Sequence, residues 1–171
     1  MTVKDNTHYN FYMNPITSLP RNGQSILEEA RKDIILENTY ENIDLIFPHE
    51  EVLEERSSGL TNYISSLKPW TIVPSILICS DSGVIIDGHH RYYVLKTLGY
   101  EKVPVTLIKY DSTKIITHNI KDKQLSKKFI IKSAISKKLL EPKSSMHHYF
   151  HNSNLFPVIL LSDLRTINYE Q

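Results

Sequence analysis

The stretch that most constrains this chain is VIIDGHHRYYVLKTLG, which runs from residue 84 to residue 99. Its first three residues are β-branched and predict a short buried strand. Tyr92, Leu95 and Leu98 then follow helical spacing, and Gly99 stands where a helix would end. A strand should therefore pass into a helix through a turn made of Asp87, Gly88, His89, His90 and Arg91.

The chemistry of this turn is that of an anion site. A helix that follows a strand presents the backbone N–H groups of its first turn at the end of a sheet, where anions bind readily. Arg91 adds a planar guanidinium suited to phosphate, and Asp87 adds a carboxylate that can hold a metal ion beside it. The residue types at this turn therefore predict a phosphate site.

Composition narrows the class of protein. The 171 residues fit one domain, and the 40% hydrophobic content is enough for an ordinary core. The 20 Lys and Arg against 19 Asp and Glu leave a formal net charge of +1, so the overall charge favours neither a nucleic-acid nor a membrane partner. The single cysteine, Cys79, lies in an apolar run and is expected to be buried. Because no signal core or membrane-spanning run is found, we expect a cytoplasmic protein.

The order of patterns along the chain predicts an α+β domain with mixed α/β order, in which a small mixed sheet is packed by helices. Residues 1–40 are expected to form an N-terminal arm and a helix, and residues 41–171 one globular unit. Predicted helices begin near Ser25, after Glu51 and after Gly88, and a long Lys-rich helix covers about 121–138. Predicted strands cover 43–47, 75–79, 84–86, 103–108 (with Pro104 at its start or at an edge) and, as a strand or buried tail, 156–161, whereas 69–74 is expected to be a rigid connection.

Polar side chains also gather at two other places. His49, Glu50 and Glu51 lie between a predicted strand and a predicted helix. Acidic residues are common in a first helical turn because they favour the positive end of the helix dipole, so this cluster alone has a purely structural explanation. After Pro142, a predicted loop contains one lysine, two hydroxyl side chains and two histidines within residues 143–148.

Spacing argues against several kinds of chemistry. The histidine pairs at 89–90 and 147–148 are adjacent in sequence, so their side chains point in different directions and do not match the spacing of a zinc helix. Cys79 lies inside an apolar strand pattern, which disfavours a thiol mechanism. The chain has neither a P-loop nor a glycine-rich nucleotide fingerprint. Phosphoryl transfer remains, because it needs positive charge, a metal ion and a base more than covalent chemistry.

The residues for such a reaction can be named by type. Glu50 would serve as the base and Asp87 as the metal ligand, since Mg²⁺ takes few protein ligands and keeps several waters. The positive and hydrogen-bonding groups would come from His89, His90, Arg91 and Lys143. No spacing rule shows that these side chains converge in the fold.

The run Asp87–Tyr92, with apolar residues before it and a helix after it, resembles the signature of the ParB/sulfiredoxin superfamily. Within that superfamily the chain is most similar to free L-serine kinases. Those enzymes have a His-Glu pair, which His49-Glu50 resembles, and a later loop, which PKSSMH at residues 142–147 resembles. The three matches occur in family order and cover about residues 43–150.

Departures from the pattern separate the chain from other relatives. Sulfiredoxins have a nucleophilic cysteine where this chain has His89, so their reductase chemistry is not expected. The ParB proteins that partition DNA have an arginine-rich nucleotide motif and a helix-turn-helix domain. This chain shows neither a second domain nor the basic excess expected of a DNA-binding protein.

The resemblance implies a Mg²⁺-dependent kinase that converts free L-serine to O-phospho-L-serine in serine or cysteine metabolism. It implies that Glu50 takes the hydroxyl proton of serine, that Asp87 positions the metal ion or the acceptor, and that His90 acts with them in catalysis. The transferred phosphoryl group and the phosphates of the donor would be bound by Gly88, His89, His90, Arg91, Lys143, Ser144 and Ser145. Trp70 and His147 are the candidates for binding substrate serine.

The phosphoryl donor is open between ATP, ADP and inorganic pyrophosphate, all of which occur in the family. The chain is short and shows no obvious adenine pocket, so the sequence favours pyrophosphate. The alternative from another class is a ParB-like module that binds a nucleotide or nucleic acid without turnover. The presence of Glu50 together with Asp87 favours the enzyme, because a pure binding module needs no base.

Overall fold

The computed structural model describes residues 21–119 and 124–168, so the predicted arm lies outside the described residues up to residue 20. The helices are α1 (Arg21–Asp33), α2 (Glu54–Ser66), α3 (His89–Thr97) and α4 (Lys127–Ile135). The strands are β1 (Ile35–Asn42), β2 (Trp70–Pro74), β3 (Ile76–Cys79), β4 (Ile85–Asp87), β5 (Lys102–Ile108), β6 (Ile115–Asn119), β7 (Ser145–His151), β8 (Asn154–Pro157) and β9 (Leu164–Asn168). Within this part of the chain, no helix is both long and apolar enough to cross a membrane.

The main sheet has four strands in the order β1-β5-β3-β4. Strand β5 runs parallel to β3, whereas β1 pairs with β5 and β4 pairs with β3 in the antiparallel direction. The sheet is therefore mixed, as predicted. Two smaller sheets accompany it: β2 pairs with β9, and β6, β7 and β8 form an antiparallel sheet.

Helices cover both faces of the main sheet, as the two faces of strand β3 illustrate. Its side chains alternate: Ile76 and Ile78 belong to the apolar cluster beneath α2 and α3, whereas Leu77 and Cys79 belong to the cluster that packs against α1 and α4. A strand buried on both faces reads as a continuous apolar run, which explains the sequence ILIC. Cys79 is 4% exposed, which confirms that it is a buried small hydrophobe.

The strand predicted at 43–47 is wrong. Residues Ile43–Leu45 form a 3₁₀ helix, and the Oδ1 atom of Asn42 accepts a hydrogen bond from the backbone N of Asp44 at 2.9 Å. Ile43 and Ile46 are both buried, and their spacing of three residues suits this tight turn. The strand itself comes earlier, as β1, at the edge of the sheet, where its mixed polar pattern gives a weak signal.

Other segments also differ from the prediction, including the predicted loop at 143–148, since β7 begins at Ser145. The segment expected to be a rigid connection is β2, which pairs along its whole length with β9. The long helix predicted at 121–138 is shorter, since α4 begins at Lys127 and its predicted start lies partly outside the described residues. Pro104 lies near the start of β5, as expected, although β5 is an interior strand. The tail at 156–161 divides between β8 and a 3₁₀ helix.

Candidate active site

The predicted strand–turn–helix around Gly88 is confirmed, and its geometry explains the glycine. Strand β4 ends at Asp87, Gly88 has φ 107°, and α3 begins at His89. The guanidinium of Arg91 turns back to Asp87, with 2.6 Å between Nη2 and Oδ2. A Cβ atom at Gly88 would lie 2.8 Å from that same Nη2. Glycine is thus required by the left-handed backbone, and a larger residue would also displace the guanidinium of Arg91.

The start of α3 offers backbone donors to a ligand. In an α-helix the first N–H groups have no intrahelical partner, and a side chain before the helix usually caps them. Gly88 occupies the capping position and makes no side-chain cap. The first internal bond of α3 runs from the N–H of Tyr92 to the carbonyl of Gly88 at 2.9 Å. This end of α3 therefore has the geometry of an anion-binding helix start.

The two histidines that open α3 fasten it to the chain before α2. Nε2 of His89 accepts a hydrogen bond from the backbone N–H of His49 at 3.3 Å. Nε2 of His90 accepts one from the N–H of Leu53, the residue that precedes α2, at 3.1 Å. Because each Nε2 is an acceptor, each neutral ring has its proton on Nδ1. Only Nδ1–H then remains as a ring donor to a phosphate.

Glu50 meets the segment that was predicted to accompany it. Its side chain is 8% exposed, and Oε2 accepts a hydrogen bond from the backbone N–H of Lys143 at 3.0 Å. Oε1 accepts one from the N–H of Ser145 at 2.6 Å and another from the hydroxyl of Ser145, with the Ser144 hydroxyl at 3.5 Å. The structure therefore brings together two clusters that lie far apart in the sequence.

Behind Glu50 lies a group of buried aromatic rings. His49 is fully buried, and its Nε2 lies 2.8 Å from the hydroxyl oxygen of Ser145. Its ring contacts that of His89 edge-on, with centroids 4.4 Å apart, and that of His147 at 5.7 Å. Nε2 of His147 lies 2.8 Å from the hydroxyl of Tyr110. These rings form a packed wall that links α3 to β7.

Burial controls the charge of these groups. It raises the pKa of Glu50, and the hydrogen bonds from residues 143–145 oppose that rise. It lowers the pKa of His49 to about 4 and those of His89 and His147 well below the usual value, with the neighbouring rings adding to the effect. It also lowers the pKa of His90. At neutral pH these histidines are uncharged donors and acceptors rather than cations.

One residue of the site was missed from the sequence. After burial, the charge of Arg56 is the largest contribution that lowers the pKa of His90, followed by that of Lys143. Arg56 lies in the first turn of α2 and is exposed. It comes three residues after Leu53, whose N–H is bound to His90, but only the fold shows that α2 begins beside α3.

The structure does not bring every predicted residue into this group. Trp70 is 57% exposed and lies in the two-stranded sheet, paired with Asn168. His147, by contrast, belongs to the buried rings behind Glu50, since it is 7% exposed and faces Tyr110 and His49. The next residue, His148, instead stacks on a ring of β6, so the two adjacent histidines do point in different directions.

The expected magnesium ion has one predicted ligand, Asp87. Within residues 21–119 and 124–168, no three His, Cys, Asp or Glu side chains are arranged to hold a metal ion. Asp87 uses Oδ2 for Arg91 and has a second carboxylate oxygen. Mg²⁺ is often bound by one or two carboxylates, with substrate phosphates and water completing its shell. The donor set fits a Mg²⁺ ion of that kind.

The chain is similar in sequence to known proteins over part of its length. No family model matches the chain. Over 71 residues it is 35% identical to an ATP-dependent L-serine kinase of Staphylothermus marinus, a match that covers 40% of this chain and 28% of that kinase. Over 68 residues it is 37% identical to a ParB-like protein of Sulfolobus acidocaldarius, covering 40% of this chain and 33% of that protein.

The fold is similar to that of SbnI with C-terminal truncation from Staphylococcus aureus. The TM-score is 0.52 at 16% identity, and the match covers 78% of this chain and 91% of that one. The mixed α/β fold class is confirmed, and so is the predicted resemblance to free L-serine kinases and ParB-like proteins. The chain matches less than a third of the S. marinus kinase, namely 28% of its length.

Proposed function

We propose that this protein transfers a phosphoryl group from a nucleotide to the hydroxyl group of free L-serine. The bond from the terminal phosphorus to its bridging oxygen breaks, and a bond from that phosphorus to the serine oxygen forms. The products are O-phospho-L-serine, the shortened nucleotide and a proton. The observation that carries the proposal is the buried carboxylate of Glu50, which binds residues 143–145 and lies next to His49, itself bonded to the start of α3.

Glu50 is the base, and Oε2 is the oxygen that takes the proton. Oε1 accepts two hydrogen bonds from Ser145 and has the Ser144 hydroxyl nearby. Oε2 accepts one hydrogen bond, from the N–H of Lys143. A carboxylate has about four lone-pair sites, so Oε2 retains one for the serine hydroxyl. A pKa raised by burial brings this carboxyl closer to the working pH, which suits a general base.

The phosphates bind at the start of α3. The free backbone N–H groups of its first turn give this end of the helix a partial positive charge, which attracts phosphate without the need for a mobile side chain. The Nδ1–H groups of His89 and His90 add neutral donors, since Nε2 of each ring is already an acceptor. Arg91, Lys143 and Arg56 supply positive charge, which a loose anionic transition state requires.

Fewer residues are candidates for binding Mg²⁺ and serine than for binding the phosphates. Asp87 is the ligand that would hold Mg²⁺ together with the donor phosphates, where the ion neutralises phosphate charge. His147 and Trp70 stay predictions for serine binding. Their geometry adds no support, because His147 is bonded to Tyr110 and Trp70 belongs to another sheet.

The donor is proposed to be ATP or ADP. The curated relative is named ATP-dependent, which favours a nucleotide over the pyrophosphate expected from the sequence. Pyrophosphate stays a prediction and needs its own assay. Serine or cysteine metabolism and a cytoplasmic location likewise stay predictions.

The proposal is tested by following product formation with ³¹P NMR. Purified protein is mixed with L-serine and Mg²⁺ and, in separate tubes, with ATP, ADP or pyrophosphate. Matched tubes omit serine, contain EDTA, or contain the Glu50→Gln variant. We expect a phosphoserine resonance with ATP or ADP that disappears in all three kinds of control.

The other outcomes are equally informative. A resonance only with pyrophosphate would restore the donor favoured by the sequence. Activity that persists in EDTA would remove Mg²⁺ from the reaction. No product in any tube, from folded protein that still binds nucleotide in equilibrium dialysis, would reject the kinase in favour of a ParB-like binding module.

A further inference from the structure

We infer that Ser145 and His49 form a relay that positions the base, in which the Nε2–H group of His49 donates to the hydroxyl of Ser145 and that hydroxyl donates to Oε1 of Glu50. The inference rests on the proposed role of Glu50. It gives Ser145 a different task from the contact with donor phosphates that the sequence suggests. It also gives His49 a task, which the motif alone does not.

The direction of the relay follows from counting protons. The Ser145 hydroxyl contacts both Oε1 of Glu50 and Nε2 of His49, at 2.8 Å for the second contact. An ionised carboxylate only accepts hydrogen bonds, so the single hydroxyl proton of Ser145 belongs to the bond with Glu50. The contact with His49 is then a hydrogen bond only if Nε2 carries the proton of the ring.

The surroundings of the His49 ring agree with that tautomer. In the described part of the chain, its buried Nδ1 has no partner in hydrogen-bond geometry, although the backbone carbonyl of Ile85 favours a proton on the ring. A proton on Nε2 makes a hydrogen bond of 2.8 Å to the Ser145 hydroxyl, whereas a proton on Nδ1 faces the Ile85 carbonyl outside hydrogen-bond geometry and is the weaker arrangement. The neutral ring should therefore have its proton on Nε2.

The relay leaves Ser145 unable to serve a phosphate as a donor. Its one hydroxyl proton is used on Glu50, and its backbone N–H donates to the same Oε1 at 2.6 Å. Ser145 is also the first residue of β7, so its backbone is fixed by the pairing of Ser145 with Asn119. Two donors from one fixed residue hold the carboxylate so that Oε2 faces away from them.

The relay keeps its protonation over the working range. The groups that face Glu50 are His49, at 3.8 Å from Oε1, and the 143–145 segment, which contributes the backbone N–H groups of Lys143 and Ser145 and two serine hydroxyls. The groups around His49 are the rings of His89 and His147. Burial holds the pKa of His49 at about 4, so this ring stays neutral while Glu50 exchanges its proton.

The kinetic test compares Ser145→Ala with Ser145→Thr, which keeps the hydroxyl, and with Ser65→Ala, an exposed serine of α2 outside the site, as the control. For Ser145→Ala we expect kcat to fall on the order of tenfold or more, as for a lost hydrogen bond to a charged group, with the KM for ATP unchanged. The Ser145 hydroxyl lowers the pKa of Glu50, so its removal should move the acid limb of the kcat/KM profile to higher pH. Ser145→Thr and Ser65→Ala should stay close to wild type in both respects.

A second measurement does not depend on activity. In wild-type protein labelled with ¹⁵N-histidine, we expect the shifts of His49 to show a neutral ring protonated on Nε2 at neutral pH, and Ser145→Ala to perturb that signal. The inference is overturned by an Nδ1–H ring in the wild type, by an unmoved pH profile in Ser145→Ala, or by a raised KM for ATP with an unchanged kcat. Wild-type protein that makes no phosphoserine with any donor rejects the proposed function instead, whatever the tautomer.

Discussion

Two junctions lead into helices at this site, and they are held together differently. The first junction, residues 49–53, leads to α2, and the second junction, residues 87–91, leads to α3. In the second junction, the ion pair between Arg91 and Asp87 joins residues that are four positions apart. In the first, the hydrogen bond from Lys143 to Glu50 joins residues separated by 93 positions, and that of His49 to Ser145 by 96.

The two junctions therefore differ in when they can form during folding. The second junction can form as soon as α3 does, because its partners are local. The first junction is complete only when β7 and the segment before it have docked, because its partners are long-range. The histidines that open α3 then connect the two junctions through the N–H groups of His49 and Leu53. The position of the base therefore depends on the late part of the chain, whereas the Gly88 turn and its Arg91–Asp87 ion pair do not.

The largest expected effect is that of Glu50→Gln in the first junction. An amide cannot take the serine proton, so turnover should fall by about 10²–10⁴-fold, the usual contribution of a general base. The free energy of unfolding should also fall, because the amide NH₂ group would face a backbone N–H of Lys143 or Ser145. A residue with a purely catalytic role would leave it unchanged. We expect a loss of about 1–3 kcal/mol in the free energy of unfolding, measured in urea.

Glu51→Gln is the matched control for this variant. Glu51 is adjacent and exposed, so its amide should leave turnover and stability close to wild type. Equal turnover in Glu50→Gln and wild type would contradict the assignment of the base. Unchanged stability in Glu50→Gln would show that the long-range contacts of the first junction contribute little to folding.

The next effect concerns the second junction and is tested with Gly88→Ala. The Cβ atom would meet Nη2 of Arg91 at 2.8 Å on a backbone with φ 107°. A non-glycine residue in such a conformation costs about 1–3 kcal/mol, so urea unfolding should show a loss of about 2 kcal/mol. The start of α3 would shift with it, and the KM for ATP should rise.

Gly59 offers the opposite case in α2. A Cβ atom there has no neighbour within 4 Å, and its φ is not in the left-handed region. Gly59→Ala should therefore stabilise the protein by about 0.5–1 kcal/mol through helix propensity. If both variants changed stability in the same direction, the conformational argument for Gly88 would fail.

The same contrast explains what the sequence could predict. The second junction was foreseen in detail, with its strand, its glycine turn, its helix and the stop at Gly99, because each signal is local. The candidates Glu50 and Lys143 were named by residue type and family likeness, but no pattern showed that one binds the backbone of the other. Arg56 was missed for the same reason.

Errors in the fold prediction have related causes. Residues 43–47 predict a strand because Ile43, Leu45 and Phe47 alternate with a period of two, whereas the residues that are buried, Ile43 and Ile46, have the period of three of the 3₁₀ helix. The prediction lacks strands β1, β2, β6, β7 and β9, because pairing with strands that are distant in sequence decides their conformation. The sequence leaves open whether His89 and His90 supply positive charge or hydrogen bonds, and burial, which lowers the pKa of both rings, favours hydrogen bonds.

A smaller effect is expected from the pH dependence of stability, to which His49 of the first junction contributes. Burial lowers the pKa of His49 from 6.5 to about 4, so the unfolded chain binds more protons between these values. Stability is therefore full above about pH 6.5 and declines as the pH falls toward 4. His89 and His147 act in the same direction, whereas Glu50, whose pKa is raised, opposes them.

The contribution of His49 is measured by urea unfolding of wild type and His49→Gln at about pH 7.5 and about pH 5.5. Its share of the decline over this interval should be about 1 kcal/mol, and the decline should be smaller by that amount in the variant. Glutamine keeps a group that can donate to Ser145, so the variant tests the titration rather than the contact. An equal decline in both proteins would mean that His49 is not held neutral by its surroundings.

The smallest effect compares two ion pairs on α3. Arg91 and Asp87 are mostly covered, with side chains 11% and 31% exposed, and their atoms lie 2.6 Å apart. Lys96 and Asp44 are 48% and 76% exposed at 3.1 Å. Double-mutant cycles to alanine should give a coupling energy of about 1 kcal/mol for the first pair and at most about 0.5 kcal/mol for the second, because exposed pairs are screened by water. A coupling as weak in the first pair as in the second would mean that the Gly88 backbone, and not the Arg91 side chain, holds the second junction in place.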